Sequence, residues 1–305
     1  MTDGKTPGQE RGAPEQVGQA VGRFAPSPTG RLHLGHAWSA ILAHDAARAA
    51  GGRFLLRIED IDPTRSRAAH VAGIVEDLGW LGLTWEAVVT QSARLEHYAT
   101  ALGRLSAMGL AYPCFCTRSD IMREIAASGQ APHGADGPLY PGTCRALGVA
   151  ARARRLAAEP HCWRLDAAAA TAQTGPLAWH DKVAGKVPVD IGALGDFVLA
   201  GRDRPASYHL AVVVDDAAMG VTQVVRGRDI FASTHAHRLL QALLDLPLPQ
   251  YHHHALVADM AGSRLAKRHD APTLFAMRCA GKDGVALAEQ LRGGQLPIGF
   301  TLAKG

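Results

Sequence analysis

The chain has 305 residues, of which 47% are hydrophobic and 20% charged, ordinary values for a soluble globular protein of one to two domains. A net charge of +4 and a pI near 8.9 leave room for a nucleic-acid partner. No apolar run reaches the roughly 18 residues of a membrane helix, and residues 1–20 lack the apolar stretch of a signal peptide, so no membrane role and a cytoplasmic location are expected.

Residues 1–20 are polar and rich in Gly, Gln and Pro, the composition of a disordered tail. A strand then ends at Phe24. The turn after it is stiffened by Pro26 and Pro28 and relieved by Gly30. From His36 the pattern is helical: Ala37, Ala40, Ile41, Ala43 and Ala47 share a face, and Gly51-Gly52 ends the run. His33 and His36 sit at the helix N-terminus, where backbone N–H groups and the dipole favour an anion. Two imidazoles there make a seat for phosphate, and Gly35 lets a flat ring approach the backbone. Arg53 to Asp60 reads as a buried strand. Strand, helix and strand form a βαβ unit, hence a parallel sheet with ligands at the carboxyl ends of its strands. Glu59, Asp60 and Asp62 lie there. Asp62 suits a cap on the next helix, and Glu59 suits the ammonium of a substrate.

Helices are expected over about 67–81 and 92–109. At Pro113 the character changes to metal chemistry. Cys114-Phe-Cys116 and Tyr140-Pro-Gly-Thr-Cys144 flank a helix near 119–128 and a Gly/Pro-rich loop. Three thiolates with a fourth ligand make a closed tetrahedral zinc site. His133 is one candidate for the fourth position. An odd total of five cysteines, three of them clustered, fits a metal in a reducing compartment better than disulfides. Cys162 and Cys279 then read as packed interior thiols. Arg145, Arg152, Arg154 and Arg155 lie in an alanine-rich helical stretch that suits either RNA phosphates or a solvated face.

Tyr208 to Asp216 reads as a buried strand with acids at its end, Gly220 to Asp229 as a second strand, and Thr234 to Leu246 as a helix. An arginine at a strand end suits a carboxylate, because its fork binds two oxygens at once. Arg226 and Arg23 offer two forks and Glu59 an anion, the set needed by a dicarboxylic amino acid; Tyr208 adds a hydroxyl. The competing reading pairs Arg226 with Asp229 or Asp215. Tyr251-His-His-His254 is a weak metal candidate without a carboxylate or cysteine nearby in sequence. Gly262 to Arg268 is a basic loop carrying Arg264, Ala266 and Lys267.

Several of these segments resemble one family. His33-Leu-Gly-His36 resembles the "HIGH" signature of class I aminoacyl-tRNA synthetases, and Arg264-Leu-Ala-Lys267-Arg268 resembles their second, lysine-rich signature. Arg264 and Ala266 depart from its usual Lys and Ser. The segment from Arg23 and the run Arg57-Ile-Glu-Asp-Ile-Asp62 resemble the glutamyl branch, with Ile61 in place of a Thr. Cys-x-Cys followed by Tyr-x-Gly-x-Cys resembles the zinc module of shortened glutamyl synthetase-like enzymes. The resemblance implies an α/β fold: a Rossmann-type parallel sheet split by a zinc-containing, acceptor-binding-like insertion, with a short helical C-terminal region. Expected boundaries are 1–20 tail, 21–112 first half of the catalytic domain, 113–205 insertion, 206–246 second half, and 247–305 the C-terminal region with the lysine loop.

The resemblance also implies substrates and roles. Glutamate would meet Arg23, Phe24, Ala25, Pro26, Ser27, Glu59, Tyr208 and Arg226. ATP with Mg²⁺ would meet His33, Gly35, His36 and Lys267, of which His33, His36 and Lys267 would be catalytic. One structural Zn²⁺ would be held by Cys114, Cys116, Tyr140 and Cys144. Too few residues follow Lys267 for the helical anticodon-binding region of a longer glutamyl synthetase. The chain therefore resembles a catalytic half acting alone as a monomer, of the kind that glutamylates queuosine in the anticodon of tRNA-Asp. A compact synthetase charging a tRNA 3′ end and a non-catalytic RNA-binding paralogue are the alternatives.

Overall fold

The computed structural model describes residues 19–128, 133–134, 137–260 and 272–303. The tail through residue 18, the basic loop with Arg264, Ala266 and Lys267, and the side chain of His133 lie outside the described residues.

Strand β1 (Val21–Phe24) is buried at every position, as a central strand should be. Helix α1 (Leu34–Ala49) turns Leu34, Ala37, Ala40, Ile41, Ala43 and Ala47 toward it. The small residues matter: a Cβ on Gly22 would stand 3.0 Å from that of Ala47, so glycine and alanine together let helix and sheet touch. Strand β2 (Arg53–Ile58) pairs parallel to β1. Helix α2 (Ala68–Trp80) leads to β3 (Ala87–Thr90), a sheet-edge strand absent from the sequence reading. Its first two residues are exposed and none is buried, so no apolar pattern marks it. Helix α3 (Leu95–Ala107) follows a 3₁₀ turn.

The next stretch holds β4 (Ala111–Cys114), α4 (Arg118–Ser128), the two-residue β5 (His133–Gly134) and β6 (Gly137–Pro138), α5 (Val149–Ala158) and β7 (Cys162–Leu165). It continues with α6 (Ala167–Thr174), β8 (Ala178–Asp181), β9 (Gly185–Pro188) and β10 (Val198–Ala200). Strands β4, β7 and β10 form a separate antiparallel sheet. Strands β8 and β9 instead join the main sheet, so residues 178–188 belong with the parallel strands although they lie within the span 113–205.

Helix α7 (Tyr208–Ala218) corrects an expectation, since the sequence reading made it a strand. Leu210, Ala211, Val212 and Val213 are all buried, so the run is apolar on every side and carries no helical period. The Ser207 hydroxyl accepts from Leu210 N and starts the helix. Then come β11 (Gln223–Gly227), α8 (Ser233–Leu243), β12 (Gln250–His254), β13 (Val257–Asp259), α9 (Leu274–Cys279), α10 (Gly284–Arg292) and β14 (Phe300–Leu302).

The main sheet runs β3-β2-β1-β11-β12-β8-β9, parallel except for the β8–β9 hairpin. It is an α/β fold with a parallel-rich sheet. Strand β11 lies directly against β1, with Gly22 opposite Gln223. Sequence-distant halves thus meet at the centre, and the strand ends there form the crevice where such sheets bind ligands.

Candidate active site

A cavity of about 480 Å³ opens at that junction. Arg23, Phe24, Ala25, Pro26 and Ser27 line it from β1 and its turn, His36 and Ser39 from α1, Glu59 from beyond β2, Tyr208 from α7 and Arg226 from β11. Every residue proposed from sequence for the amino acid therefore borders one space. A roomier cavity of about 710 Å³ lies between Ile125, Leu139, Tyr140, Ala168 and Ile191 and holds none of them.

The two expected arginine forks are not equivalent. Arg23 Nε donates to Asp216 Oδ1 at 3.1 Å, and the fully buried Arg57 donates to the same oxygen at 2.5 Å. Arg57 also donates to Glu59 at 3.1 Å. Arg23 is thus not a free fork: Asp216, read from sequence as a strand-end acid, comes off helix α7 to hold it. Burial works against the Asp216 carboxylate, but Arg23 and Arg57 override that cost and keep its pKa below the ordinary range. Burial wins at Glu59, whose pKa stands above the ordinary range despite Arg57.

Arg226 is different. Its Nε donates to His253 at 3.0 Å, Nη1 to the Tyr208 hydroxyl at 3.2 Å and Nη2 to Thr234 at 2.6 Å, with His237 Nδ1 at 3.3 Å from both. These partners are neutral; burial and Arg226 itself drive the pKa of His237 far below that of free histidine. The alternative pairing with Asp215 is overturned, because Asp215 binds Gln91, Arg94 and Tyr98. Nothing in the sequence pointed to Thr234, His237 or His253 around Arg226, nor to Asp216 and Arg57 behind Arg23.

At the start of α1, His33 is the N-cap. Its Nδ1 accepts from Gly35 N at 3.1 Å, and His36 Nδ1 accepts from His33 N at 3.1 Å. The imidazoles thus occupy two of the N–H groups that the sequence reading left for phosphate. A neutral ring that accepts at Nδ1 carries its proton at Nε2, so both rings can donate. A Cβ on residue 35 would sit 3.1 Å from His33 Cε1, so a side chain there would push this ring aside by a few tenths of an ångström. Asp62 does not cap α2, whose N-cap is Arg67; it holds a turn through Thr64 and Arg65.

The sulfurs of Cys114, Cys116 and Cys144 lie within 4.8 Å of one another, with Cys116 and Cys144 at 3.5 Å. Zinc–sulfur bonds of about 2.3 Å in a tetrahedron need sulfurs about 3.8 Å apart, so the trio fits. The Tyr140 oxygen stands 3.6 Å from Cys116 Sγ and accepts from Cys144 N at 2.9 Å, beside the trio. Cys162 is not the isolated thiol expected. It faces Cys114 across β4 and β7, and its hydrogen bond, with those of Tyr140 and Arg164, holds the Cys114 thiol below its ordinary pKa. Cys279 is exposed, not interior.

The histidine run on β12 is also used internally. His254 bonds Ser39 at 2.9 Å, and His253 bonds Asp181 at 2.8 Å. Among the described residues, the cysteine trio is the one group arranged for a metal. Arg145 pairs with Asp196, Arg155 with Glu159, and Arg152 bonds backbone carbonyls, so these three basic residues serve the fold.

Residues 19–298 match the family described as tRNA synthetases class I (E and Q), catalytic domain. The chain belongs to that family. As a class I synthetase-like ligase it is 51% identical to the glutamyl-Q tRNA(Asp) synthetase of Rhodobacter capsulatus over 268 residues, covering 86% of this chain and 95% of that protein. It is 46% identical to the protein of the same name from Symbiobacterium thermophilum over 272 residues, 85% of this chain and 81% of that one. In three dimensions it is similar to a glutamate tRNA ligase from Elizabethkingia meningosepticum in complex with its amino acid, with a TM-score of 0.71 and 28% identity. The glutamate-tRNA synthetase of Elizabethkingia anophelis gives 0.72 and 28%. Both matches cover 82% of this chain, which spans about half the length of those two ligases, 52% and 53%. No described helix is long and apolar enough to cross a membrane.

Proposed function

We propose that this ligase activates glutamate with ATP and transfers the glutamyl group to queuosine in the anticodon of tRNA-Asp. The observation that carries the glutamate reading is Arg226, a buried cation with only neutral hydrogen-bond partners, on the wall of a cavity where Arg23 and Glu59 are each held in an ion pair. A side-chain carboxylate brought there gains charge-assisted hydrogen bonds in a medium of low dielectric. Glu59 receives the substrate ammonium, and the Tyr208 hydroxyl, which accepts from Arg226, has its own proton to give.

The α-carboxylate is ionised and needs no general base. Its oxygen attacks the α-phosphorus of ATP in line, the bond to the β-phosphate breaks, and pyrophosphate leaves. The protein's part is positioning and charge stabilisation. His33 and His36 donate from Nε2 to the phosphates, Lys267 neutralises the leaving pyrophosphate, and Mg²⁺ accompanies ATP. A hydroxyl of the acceptor then attacks the glutamyl carbonyl, releasing AMP. Queuosine supports this reading chemically, because its cyclopentene cis-diol mimics the ribose diol that such sites accept. The names of the curated relatives point the same way. Cys114, Cys116, Tyr140 and Cys144 would hold one Zn²⁺; with four protein ligands it supplies structure to the insertion, not an open coordination position.

The structural likeness to two glutamate–tRNA ligases favours a second reading, in which the acceptor is a tRNA 3′ end. Labelled glutamate and ATP, incubated with tRNA-Asp bearing or lacking queuosine, separate the two. Label confined to the queuosine-bearing tRNA is expected. Label on queuosine-free tRNA would overturn the assignment, and no ATP–pyrophosphate exchange with glutamate would favour a non-catalytic paralogue.

A further inference from the structure

Arg226 is held by a relay that begins outside the cavity. Asp181 ends β8, on a strand next but one to β11 in the sheet. One of its carboxylate oxygens accepts from Val183 N and Ala184 N, both at 2.9 Å, which closes the β8–β9 turn. The other accepts from His253 N at 3.0 Å and stands 2.8 Å from His253 Nδ1. Four donors surround a side chain that is 1% exposed. His253 lies on β12 between Asp181 and Arg226, directly opposite Arg226 in the strand register.

The chemistry fixes the proton. Arg226 Nε can only donate, so His253 Nε2 is an acceptor. The ring proton therefore sits on Nδ1 and faces Asp181. A carboxylate orients an imidazole, and the imidazole orients a guanidinium, in the way that outer partners orient the histidines of metal and catalytic sites. Thr234 closes the arrangement: its hydroxyl accepts from Arg226 and stands 3.2 Å from His253 Nε2. The charge placement is also notable. Asp181 stabilises the ring dipole yet stands one imidazole away from Arg226, so the cation keeps its unneutralised charge for a ligand.

We infer that His253 and Asp181 are positioning residues for substrate binding: they hold Arg226 in the orientation that receives the substrate carboxylate without neutralising it. The inference rests on the reading of Arg226 as the carboxylate seat. Burial and Arg226 also push the His253 pKa down to about 4, consistent with a neutral ring in the relay.

ATP–pyrophosphate exchange, run with tRNA present and with glutamate and ATP varied separately, tests this. His253→Leu removes the acceptor from a buried charged donor. The KM for glutamate should rise about tenfold or more, with kcat at saturating glutamate and the KM for ATP within about threefold of wild type. His253→Gln returns an acceptor and should recover most of the glutamate KM. Asp181→Asn, which keeps the turn-closing oxygen, should shift the same parameter in the same direction, and it carries the test if His253→Leu does not fold. A glutamate KM within twofold of wild type in these variants would overturn the inference. So would glutamate and ATP parameters that worsen together with no recovery in His253→Gln, the mark of a merely structural role. Arg226→Gln separates the two layers. If it leaves the glutamate KM unchanged, the carboxylate-seat reading fails; if it raises that KM while His253→Leu and Asp181→Asn do not, only the positioning relay fails.

Discussion

Asp216 is the residue on which two buried arginines depend, so Asp216→Asn is the sharpest test of the site's electrostatics. Arg57 is fully buried, and Arg23 and Asp216 are nearly so. Neutralising the acid leaves Glu59 as the carboxylate bonded to Arg57 and takes from Arg23 its ion-pair partner. Breaking a buried pair by removing one partner costs about 3–5 kcal/mol, because the remaining charge stays out of water. The amide oxygen still accepts one hydrogen bond, which puts the loss near the lower figure. At about 2 °C per kcal/mol for a chain of this size, the unfolding midpoint should fall by about 6 °C or more.

The assay is thermal unfolding at neutral pH, paired with pyrophosphate exchange well below the new midpoint. There the glutamate KM should also rise, since Arg23 and Glu59 lose the frame that holds them at the cavity wall. The sign of the pH dependence follows from the depressed pKa. The stability that Asp216 contributes is present above the pKa of an unfolded aspartate, about 3.9, and is lost as pH falls through the lower folded value. A midpoint within about 2 °C of wild type at pH 7 would refute the reasoning, because it would mean that Arg23 and Arg57 are not relying on this carboxylate.

The other predictions address separate parts of the molecule. With the His253 pKa lowered to about 4, the unfolded chain binds a proton there below about pH 6.5 that the folded chain refuses; zinc-saturated protein should lose about 2 kcal/mol through this group between pH 7 and pH 5, and a flat unfolding midpoint over that range would contradict the buried neutral ring. Gly35→Ala should hold or slightly raise the unfolding midpoint, since alanine is the better helix former, while cutting exchange activity at least about tenfold by displacing the His33 ring; unimpaired activity would show that the ring's place is not critical. Elemental analysis should find one zinc in the wild-type protein and none in Cys144→Ser, and a metal-free wild type or full retention in the variant would refute the proposed ligand set.

How much of this site could be read from the chain depended on whether the chemistry was local. Arg23, His33, His36 and Glu59 belong to one contiguous βαβ unit, where strand, turn and helix follow from short-range patterns, and they stand where those patterns put them. Arg226 was legible as an arginine at a strand end. Its neighbours were not. Asp181, Thr234, His237 and His253 come from separate elements and carry no spacing signal, since only the sheet order brings β8, β12 and β11 together. Helix α7 failed for the opposite reason: its run from Leu210 to Val213 is buried on all sides, and burial erased the periodicity that would have named it. That error concealed Asp216, which a strand reading leaves at a strand end and a helix turns toward β1 and β2. The same topology explains why one arginine of the pair is paired and the other is not. Arg23, at the sheet centre beside β2, meets an acid delivered by α7, whereas Arg226 on β11 faces hydroxyls and imidazoles from α7, α8 and β12. A single extra carboxylate on any of those three elements would fill the place a substrate carboxylate is proposed to take, so the proposed selectivity for an acid rests on the neutrality of that shell more than on the arginine itself.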